Sequence, residues 1–143
     1  MPIEPDTFDA NKIILEQKDP IIQYYIVRKD IKMSRGKMCA QVAHGAQKFI
    51  MTYLERVNSN PIRYWDDLAL ITTWINEGYR KVFLGGKQKD FEKIKEELFI
   101  FSVTDAGLTE IESGTETLLV TWPMLKSQRP KVISRLQLLT DEV

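Results

Sequence analysis

The pattern of apolar and polar positions divides the chain into strands and helices that follow one another. Residues 23–28, 80–84 and 116–121 are short runs rich in β-branched and aromatic side chains, which predicts three strands. Residues 99–104 alternate apolar and polar side chains, as a half-buried strand does. From residue 34 to about residue 57 apolar side chains recur every three or four positions, which predicts a long helix capped by Ser34.

Shorter elements complete the pattern. A second helix is predicted at 61–76, because Pro61 suits a first helical position and Gly78 can close the helix. Another helix is predicted at 89–98, helical turns at 129–134 and a short last strand at 136–139, while Gly85 and Gly86 predict a turn. Strands that alternate with helices indicate an α/β domain whose sheet is covered on both faces.

The two long helices have distinct faces. The face of the first that is expected to pack on the sheet holds Met38, Val42, Ala46, Phe49, Ile50, Tyr53 and Leu54. Its opposite stripe, also at helical spacing, holds Lys37, Gln41, His44 and Lys48. The second helix is expected to bury Trp65, Leu68, Thr72 and Ile75.

Composition limits the possible classes of function. At 143 residues, 43% hydrophobic and 28% charged, the chain is typical of one globular domain, and no apolar run approaches the roughly 18 residues of a membrane helix. A formal net charge of zero argues against wholesale coating of nucleic acid. Residues 1–22 carry five acidic and two basic side chains, unlike a secretory or transit peptide, and we expect a loosely held extension before a domain at 23–143, in the cytoplasm.

Cys39 is the only cysteine and His44 the only histidine. An internal disulfide and a zinc site built from Cys and His ligands are therefore excluded. Nucleophilic catalysis of the Ser-His-Asp or Cys-His type would have to use His44, which sits in the middle of the long helix and favours a packing or hydrogen-bonding role.

The start of the long helix is unusually basic. Arg35 and Lys37 crowd a helix end that already carries positive backbone charge, and Gly36 between them weakens the helix. Such an arrangement makes sense if the helix end meets an anion, such as a phosphate or a developing oxyanion. A solvated basic loop explains the same residues equally well.

A second candidate lies where the predicted strand 99–104 ends. Asp105 follows that strand and precedes Ala106 and Gly107, at the edge where α/β sheets place functional loops. Thr109 adds a hydroxyl four residues later, and Thr117 begins the next strand. By spacing alone, an ordinary Asp turn with threonines chosen for strand propensity is favoured.

Taken in order, these segments resemble the archaeal/eukaryotic-type peptidyl-tRNA hydrolases. The resemblance rests on residues 27–44, which include the sequence MSRGKMCAQVAH, on 74–84, on 105–118 with DAGLTEIESGTETL, and on 136–139. It implies a single three-layer α/β/α domain with a mixed sheet of about four strands, commonly a homodimer. The implied reaction is hydrolysis of the ester that joins a peptide to the terminal ribose of tRNA, with no metal and no cofactor.

The resemblance also assigns residues. The family's catalytic lysine falls on Lys37, its aspartate on Asp105 and its threonines on Thr109 and Thr117. The expected mechanism has Asp105 orient or deprotonate water while Lys37 and the threonine hydroxyls stabilise charge on the ester oxygen. The residues expected to bind peptidyl-tRNA are Arg28, Lys29, Lys32, Arg35, Gln41 and Lys48.

Some positions depart from the family pattern. Leu108 stands where an arginine is usual, and Glu110 where a glutamine is usual, in a loop that Glu112 and Glu116 make more acidic. These changes keep two alternatives open: a non-catalytic member of the fold that binds RNA or protein, and a hydrolase of another acyl ester.

Overall fold

A computed structural model describes residues 19–107 and 111–140 as a sheet covered by helices on both faces. In chain order the elements are β1 (Ile21–Arg28), α1 (Arg35–Ser59), α2 (Trp65–Asn76), β2 (Lys81–Gly86), α3 (Gln88–Glu97), β3 (Ile100–Thr104), β4 (Glu116–Thr121), β5 (Met124–Leu125), a 3₁₀ turn (Lys126–Gln128) and α4 (Lys131–Ser134).

The sheet is mixed, as the family resemblance implied. Its main path runs β2-β1-β4-β3, and the short β5 pairs with the start of β1. β1 and β2 are parallel, whereas β4 is antiparallel to both β1 and β3. The strands β1, β2 and β3 therefore point the same way, and their carboxyl ends lie at the same end of the sheet.

Alternation along β1 divides the core into two halves. Tyr25 and Val27 face Phe49 of α1 and Trp74 of α2. On the other face, Tyr24 and Ile26 pack with residues of α3 and α4, including Phe91, Ile94 and Ile133. The prediction of a single α/β domain with three layers is confirmed.

The contact of α1 with the sheet is very close. The buried stripe of α1 is Gln41, Gly45, Phe49 and Tyr53, spaced by four residues. A Cβ atom on Gly45 would lie 2.5 Å from Val120 and 2.8 Å from Leu118. Only glycine lets the helix backbone approach β4 this closely, which sets the height of the first turns of α1 above the sheet.

Several predicted positions are wrong in detail. The buried stripe is turned towards Gln41, so Gln41 is only 4% exposed whereas Leu54 is 43% exposed. α2 begins at Trp65, after a turn in which the Asn60 side chain accepts from the Arg63 amide, and Trp65 is consequently 64% exposed. Trp74 is buried in its place and donates to the carbonyl of Arg80.

The end of β2 also differs from the predicted turn. Gly85 and Gly86 continue the strand, because β1 pairs with them through Val27 and Arg28. On the other side of β2, the predicted last strand at 136–139 is reduced to one bridge between Leu84 and Leu138.

The first strand begins slightly earlier than predicted, since β1 starts at Ile21. Most of the predicted N-terminal extension, residues 1–18, lies outside the described residues. The chain just before β1 is held by Asp19, whose carboxylate accepts from the Ser127 amide, and by Pro20, whose carbonyl accepts from the Lys126 amide.

We predict that Gly45→Ala lowers the free energy of unfolding by about 1–3 kcal/mol, because the new methyl group must displace Val120 or Leu118 in a close-packed layer. Urea denaturation measures the change. Gly36→Ala is the matched control in the same helix, since a Cβ there meets nothing within 4 Å, and it should leave stability unchanged or raised. An equal response of the two variants would contradict the close-approach argument.

Candidate active site

Asp105 lies at the carboxyl end of β3, at the end of the sheet where β1 and β2 also finish. Its backbone amide donates to the Thr115 carbonyl at 2.9 Å, and its own carbonyl accepts from the Gly114 amide at 2.8 Å. Both backbone bonds join the end of β3 to the segment that enters β4. The position of the carboxylate is thus determined by the sheet itself.

Among the residues that the structure describes, three donors surround the Asp105 carboxylate. The ammonium of Lys37 forms an ion pair with Oδ1, and Gln41 Nε2 donates to the same oxygen at 3.1 Å. The Gly107 amide donates to Oδ2 at 2.7 Å. The Asp105 side chain is only 1% exposed, whereas that of Lys37 is 15% exposed. The lysine is therefore the more accessible member of a nearly buried pair.

The surroundings of Asp105 lower its pKa below the ordinary value. The hydrogen bond from Lys37 is the largest cause, and the Gly107 amide, the Lys37 charge and the Gln41 amide act in the same direction. Burial opposes them because it disfavours the charged form. Asp105 is consequently ionised at neutral pH.

The start of α1 brings Lys37 to this carboxylate. The Ser34 side chain accepts from the Lys37 amide at 3.2 Å and caps the helix as predicted. The basic helix start does meet an anion, and for Lys37 that anion is the Asp105 carboxylate within the protein. Arg35 stays exposed and forms no ion pair with any residue that the structure describes.

Gln41 has a different position from the predicted one. It lies one helical turn after Lys37, and its amide points into the protein at Asp105 rather than out towards a nucleic acid. Its Oε1 atom is buried and has no hydrogen-bond partner among the described residues. The spacing of four between Lys37 and Gln41 was the signal in the sequence that both could reach one group.

The loop after Asp105 needs glycine at position 107. Gly107 has φ of 76°, and a Cβ there would lie 2.5 Å from Ser113. This strained turn is what directs the Gly107 amide back at the carboxylate. Thr109, Leu108 and Glu110 lie outside the described residues, so the predicted role of Thr109 stays a prediction.

Thr117 occupies a β-bulge next to the site. β3 and β4 pair Val103 with Leu118 and then Thr104 with Glu116, which leaves Thr117 as the extra residue. Its side chain is fully buried, and its hydroxyl donates to the Val103 carbonyl at 3.2 Å. In this arrangement the Thr117 side chain stabilises the last residues of β3, just before Asp105.

The predicted basic residues divide into two groups. Arg28 and Lys48 are engaged within the protein, Arg28 with Asp30 and the Glu116 carbonyl, and Lys48 with the Ser102 carbonyl at 2.7 Å. The other group is exposed at the end of the sheet where β1, β2 and β3 finish, and it consists of Lys29, Lys32 and Arg35.

Lys95, which the sequence did not single out, partly neutralises the acidic loop. Its ammonium donates to Glu116 at 2.9 Å. The two residues are far apart in sequence and meet only because α3 and the start of β4 lie together, so no sequence pattern announced this pair.

The other candidate groups that the sequence offered lie at the surface of the protein. His44 and Cys39 are both exposed. Between residues 19 and 140, leaving out 108–110, no three His, Cys, Asp or Glu side chains converge to hold a metal ion. No helix in that part of the chain is long and apolar enough to cross a membrane.

Comparison with known proteins points to one family. Residues 21–139 match the family model described as peptidyl-tRNA hydrolase PTH2. The chain is 38% identical over 125 residues to a peptidyl-tRNA hydrolase of Methanopyrus kandleri, a match that covers 82% of this chain and 97% of that protein. It is 34% identical to one of Thermococcus onnurineus, covering 81% and 95%, and 32% identical to one of Methanococcus vannielii, covering 82% and 97%.

We predict that Lys37→Met raises the pKa of Asp105, because it removes the largest cause of the lowered value and leaves burial to act. A ¹³C NMR titration of the side-chain carboxyl measures this. Lys48→Met, on the same helix but bonded to Ser102, should leave the titration unchanged.

The same pair makes stability depend on pH. Because the pKa of Asp105 is lower in the folded than in the unfolded state, its contribution is present above the unfolded value of about 4 and is lost as the pH falls through the folded value. Lys37→Met should weaken this loss of stability in acid. An unchanged titration of Asp105 in Lys37→Met would show that the Gly107 and Gln41 amides lower the pKa instead.

Proposed function

The chain belongs to the PTH2 family of peptidyl-tRNA hydrolases, and from that premise we propose how its Lys37–Asp105 pair acts on the substrate. The protein is a hydrolase of the ester bond in peptidyl-tRNA. The observation that carries the proposal is the nearly buried carboxylate of Asp105, kept ionised by Lys37 beside a Gln41 oxygen that has no partner among residues 19–107 and 111–140.

Water is the nucleophile, and two acceptors orient it. Asp105 Oδ2 accepts only the Gly107 amide among the described residues, and an ionised carboxylate oxygen can accept a further hydrogen bond. Gln41 Oε1 is buried beside the carboxylate and supplies a second acceptor once substrate binding admits the water. A water that donates both of its hydrogens to these oxygens turns a lone pair to the ester carbonyl. Because the pKa of Asp105 is lowered, it orients the water more than it deprotonates it.

Lys37 is the electrophilic partner. Its ammonium is the more accessible half of the pair, and at the helix start it adds to the positive end of α1. As water adds to the carbonyl, negative charge grows on the ester oxygen, and Lys37 stabilises it. The tetrahedral intermediate then collapses, the proton lost by the attacking water passes through Asp105 to the leaving ribose oxygen, and the peptide is released as a carboxylic acid. We assign Thr117 a positioning role, since its hydroxyl proton is donated to Val103.

The basic surface for tRNA is proposed to be Lys29, Lys32 and Arg35. All three are exposed, and they lie between the end of β1 and the first turn of α1, where they can contact phosphates while Lys37 meets the ester. Arg28 and Lys48 contribute less, because their charged groups already have partners.

A homodimer and a location in the cytoplasm are further proposals, supported by the family alone. Sedimentation of the purified chain would decide the first, and fractionation of the cell the second.

We predict that Asp105→Ala lowers kcat for release of tRNA from N-acetyl-aminoacyl-tRNA by about 10²–10⁴-fold, because the variant loses the carboxylate that orients the attacking water and accepts its proton. Gel separation of charged and free tRNA measures turnover, and unblocked aminoacyl-tRNA should be spared. Asp67→Ala is the control. It removes a carboxylate of α2 that pairs with Arg56 of α1, and it should retain activity.

Three outcomes would contradict this. Turnover by Asp105→Ala equal to that of the unaltered protein would remove Asp105 from the mechanism. Purified protein without turnover on any blocked substrate would instead favour the non-catalytic alternative, and cleavage of simple N-acyl amino acid esters alone would favour another acyl ester.

We predict that the double variant Lys32→Gln/Arg35→Gln raises KM for the tRNA substrate while kcat changes little, since phosphate contacts bind substrate and transition state alike. The slope of log(kcat/KM) against log[salt] should become shallower by about one to two. Lys89→Gln/Lys131→Gln removes two equally exposed charges from α3 and α4 and should alter neither quantity. Identical salt slopes in the two double variants would place the tRNA elsewhere.

A further inference from the structure

The free edge of the sheet leads along β3 to the candidate active site. We propose that this edge binds the peptide part of the substrate as an added strand, an inference that rests on the proposed function. β3 pairs with β4 on one side, and no other strand in the described part of the chain pairs with it on the other. An unpaired edge offers a row of backbone donors and acceptors to an extended peptide.

Alternate residues of β3 direct their backbone amides and carbonyls away from β4, towards the free edge. Both the amide and the carbonyl of Asp105 bond towards the β4 side. In an antiparallel ladder the two groups of one residue point the same way and alternate between neighbours. The amides and carbonyls of Thr104 and Ser102 therefore face the free edge, and the Lys48 ammonium indeed reaches the Ser102 carbonyl from that side.

A groove runs beside this edge. His44, Gln47 and Met51 of α1, with Val103 and Thr104 of β3, line a shallow open groove of about 370 Å³. Thr104 immediately precedes Asp105, so one end of the groove opens at the reaction centre. The Met51 side chain is 64% exposed and provides an apolar wall for side chains of different shapes.

Lys48 explains how such an edge is kept from pairing with other chains. A lysine that covers an edge carbonyl is a common protection of edge strands. Its ammonium is held by a single carbonyl at 2.7 Å and lies on the protein surface. A peptide N–H can take that carbonyl while the lysine moves into solvent, so the edge is protected when free and usable when substrate is present.

The chemistry of the substrate determines direction and length. The ester is at the carboxyl end of the peptide, and it must lie at Asp105, where β3 ends. The peptide therefore runs parallel to β3, and the five residues Ile100–Thr104 accommodate about four of its residues. Recognition through main-chain groups does not depend on side chains, which suits an enzyme whose substrates carry peptides of any sequence.

The test is the dependence of kcat/KM on peptide length. N-acetylated peptidyl-tRNAs with one to six residues are compared, in two unrelated peptide sequences. We expect kcat/KM to rise about tenfold up to about four residues and then to level off, equally in both sequences, as two or three net hydrogen bonds would produce. Cleavage of the one-residue substrate without any rise overturns the edge proposal and leaves the proposed function intact. Absence of cleavage at every length overturns both.

A matched pair of variants locates the effect. Ser102→Pro removes the outward amide at a position where an edge strand tolerates proline, and Ser102→Ala keeps that amide. Both variants lose the hydroxyl that donates to Glu116. The ratio of kcat/KM for four residues to that for one should fall close to one in Ser102→Pro and stay about tenfold in Ser102→Ala. Equal ratios in the two folded variants overturn the proposal.

A measurement on the unaltered protein tests the proposal even if Ser102→Pro does not fold. The probe is a tetrapeptide joined through an amide to 3′-amino-3′-deoxyadenosine, a stand-in for the end of peptidyl-tRNA that cannot be hydrolysed. It should slow hydrogen exchange at the Ser102 amide. Unchanged exchange there, under conditions where the probe inhibits turnover, overturns the proposal.

Discussion

The ion pair between Lys37 and Asp105 joins the first turn of α1 to the end of β3, and much of the surrounding structure serves to hold it in place. Two opposite charges that are almost removed from water are retained only when further hydrogen bonds satisfy them. Gln41 and the Gly107 amide supply these bonds. An apolar pair would be easier to bury, so the charges point to chemistry rather than to stability as the reason for the arrangement.

The approach of α1 to the sheet is the condition for that pair. Gly45 lets the helix backbone lie directly on Val120 and Leu118, one turn beyond Gln41. A larger residue would lift the helix and draw the amide of Gln41 away from Asp105. On the opposite side, the bulge at Thr117 and the bonds from Asp105 to the chain at 114–115 settle where β3 ends. Helix and strand are thus both positioned by features that touch no substrate.

The proposed contacts with the substrate fall on two exposed surfaces on either side of Asp105. Lys29, Lys32 and Arg35 lie on the side of the β1–α1 connection, while the open edge of β3 leads away from Asp105 beside α1. The Asp105 side chain between them is nearly buried. In this proposal the varying peptide is bound through its backbone on one side and the nucleic acid through its charge on the other.

The sequence by itself determined the element types, the three-layer class and, through the ordered match from Lys37 to Thr117, the family, and it predicted Asp105 as the candidate reaction centre. Local signals sufficed there, because strand and helix periods and the Ser34 cap are properties of neighbouring residues. Tertiary structure alone decided which way α1 is turned, so that Gln41 is buried and Leu54 exposed. It also decided that Lys37 has its counter-charge inside the protein, that Lys95 meets Glu116, and that β3 keeps a free edge. Each of these depends on residues far apart in sequence, whose distances are determined only when the helices pack on the sheet.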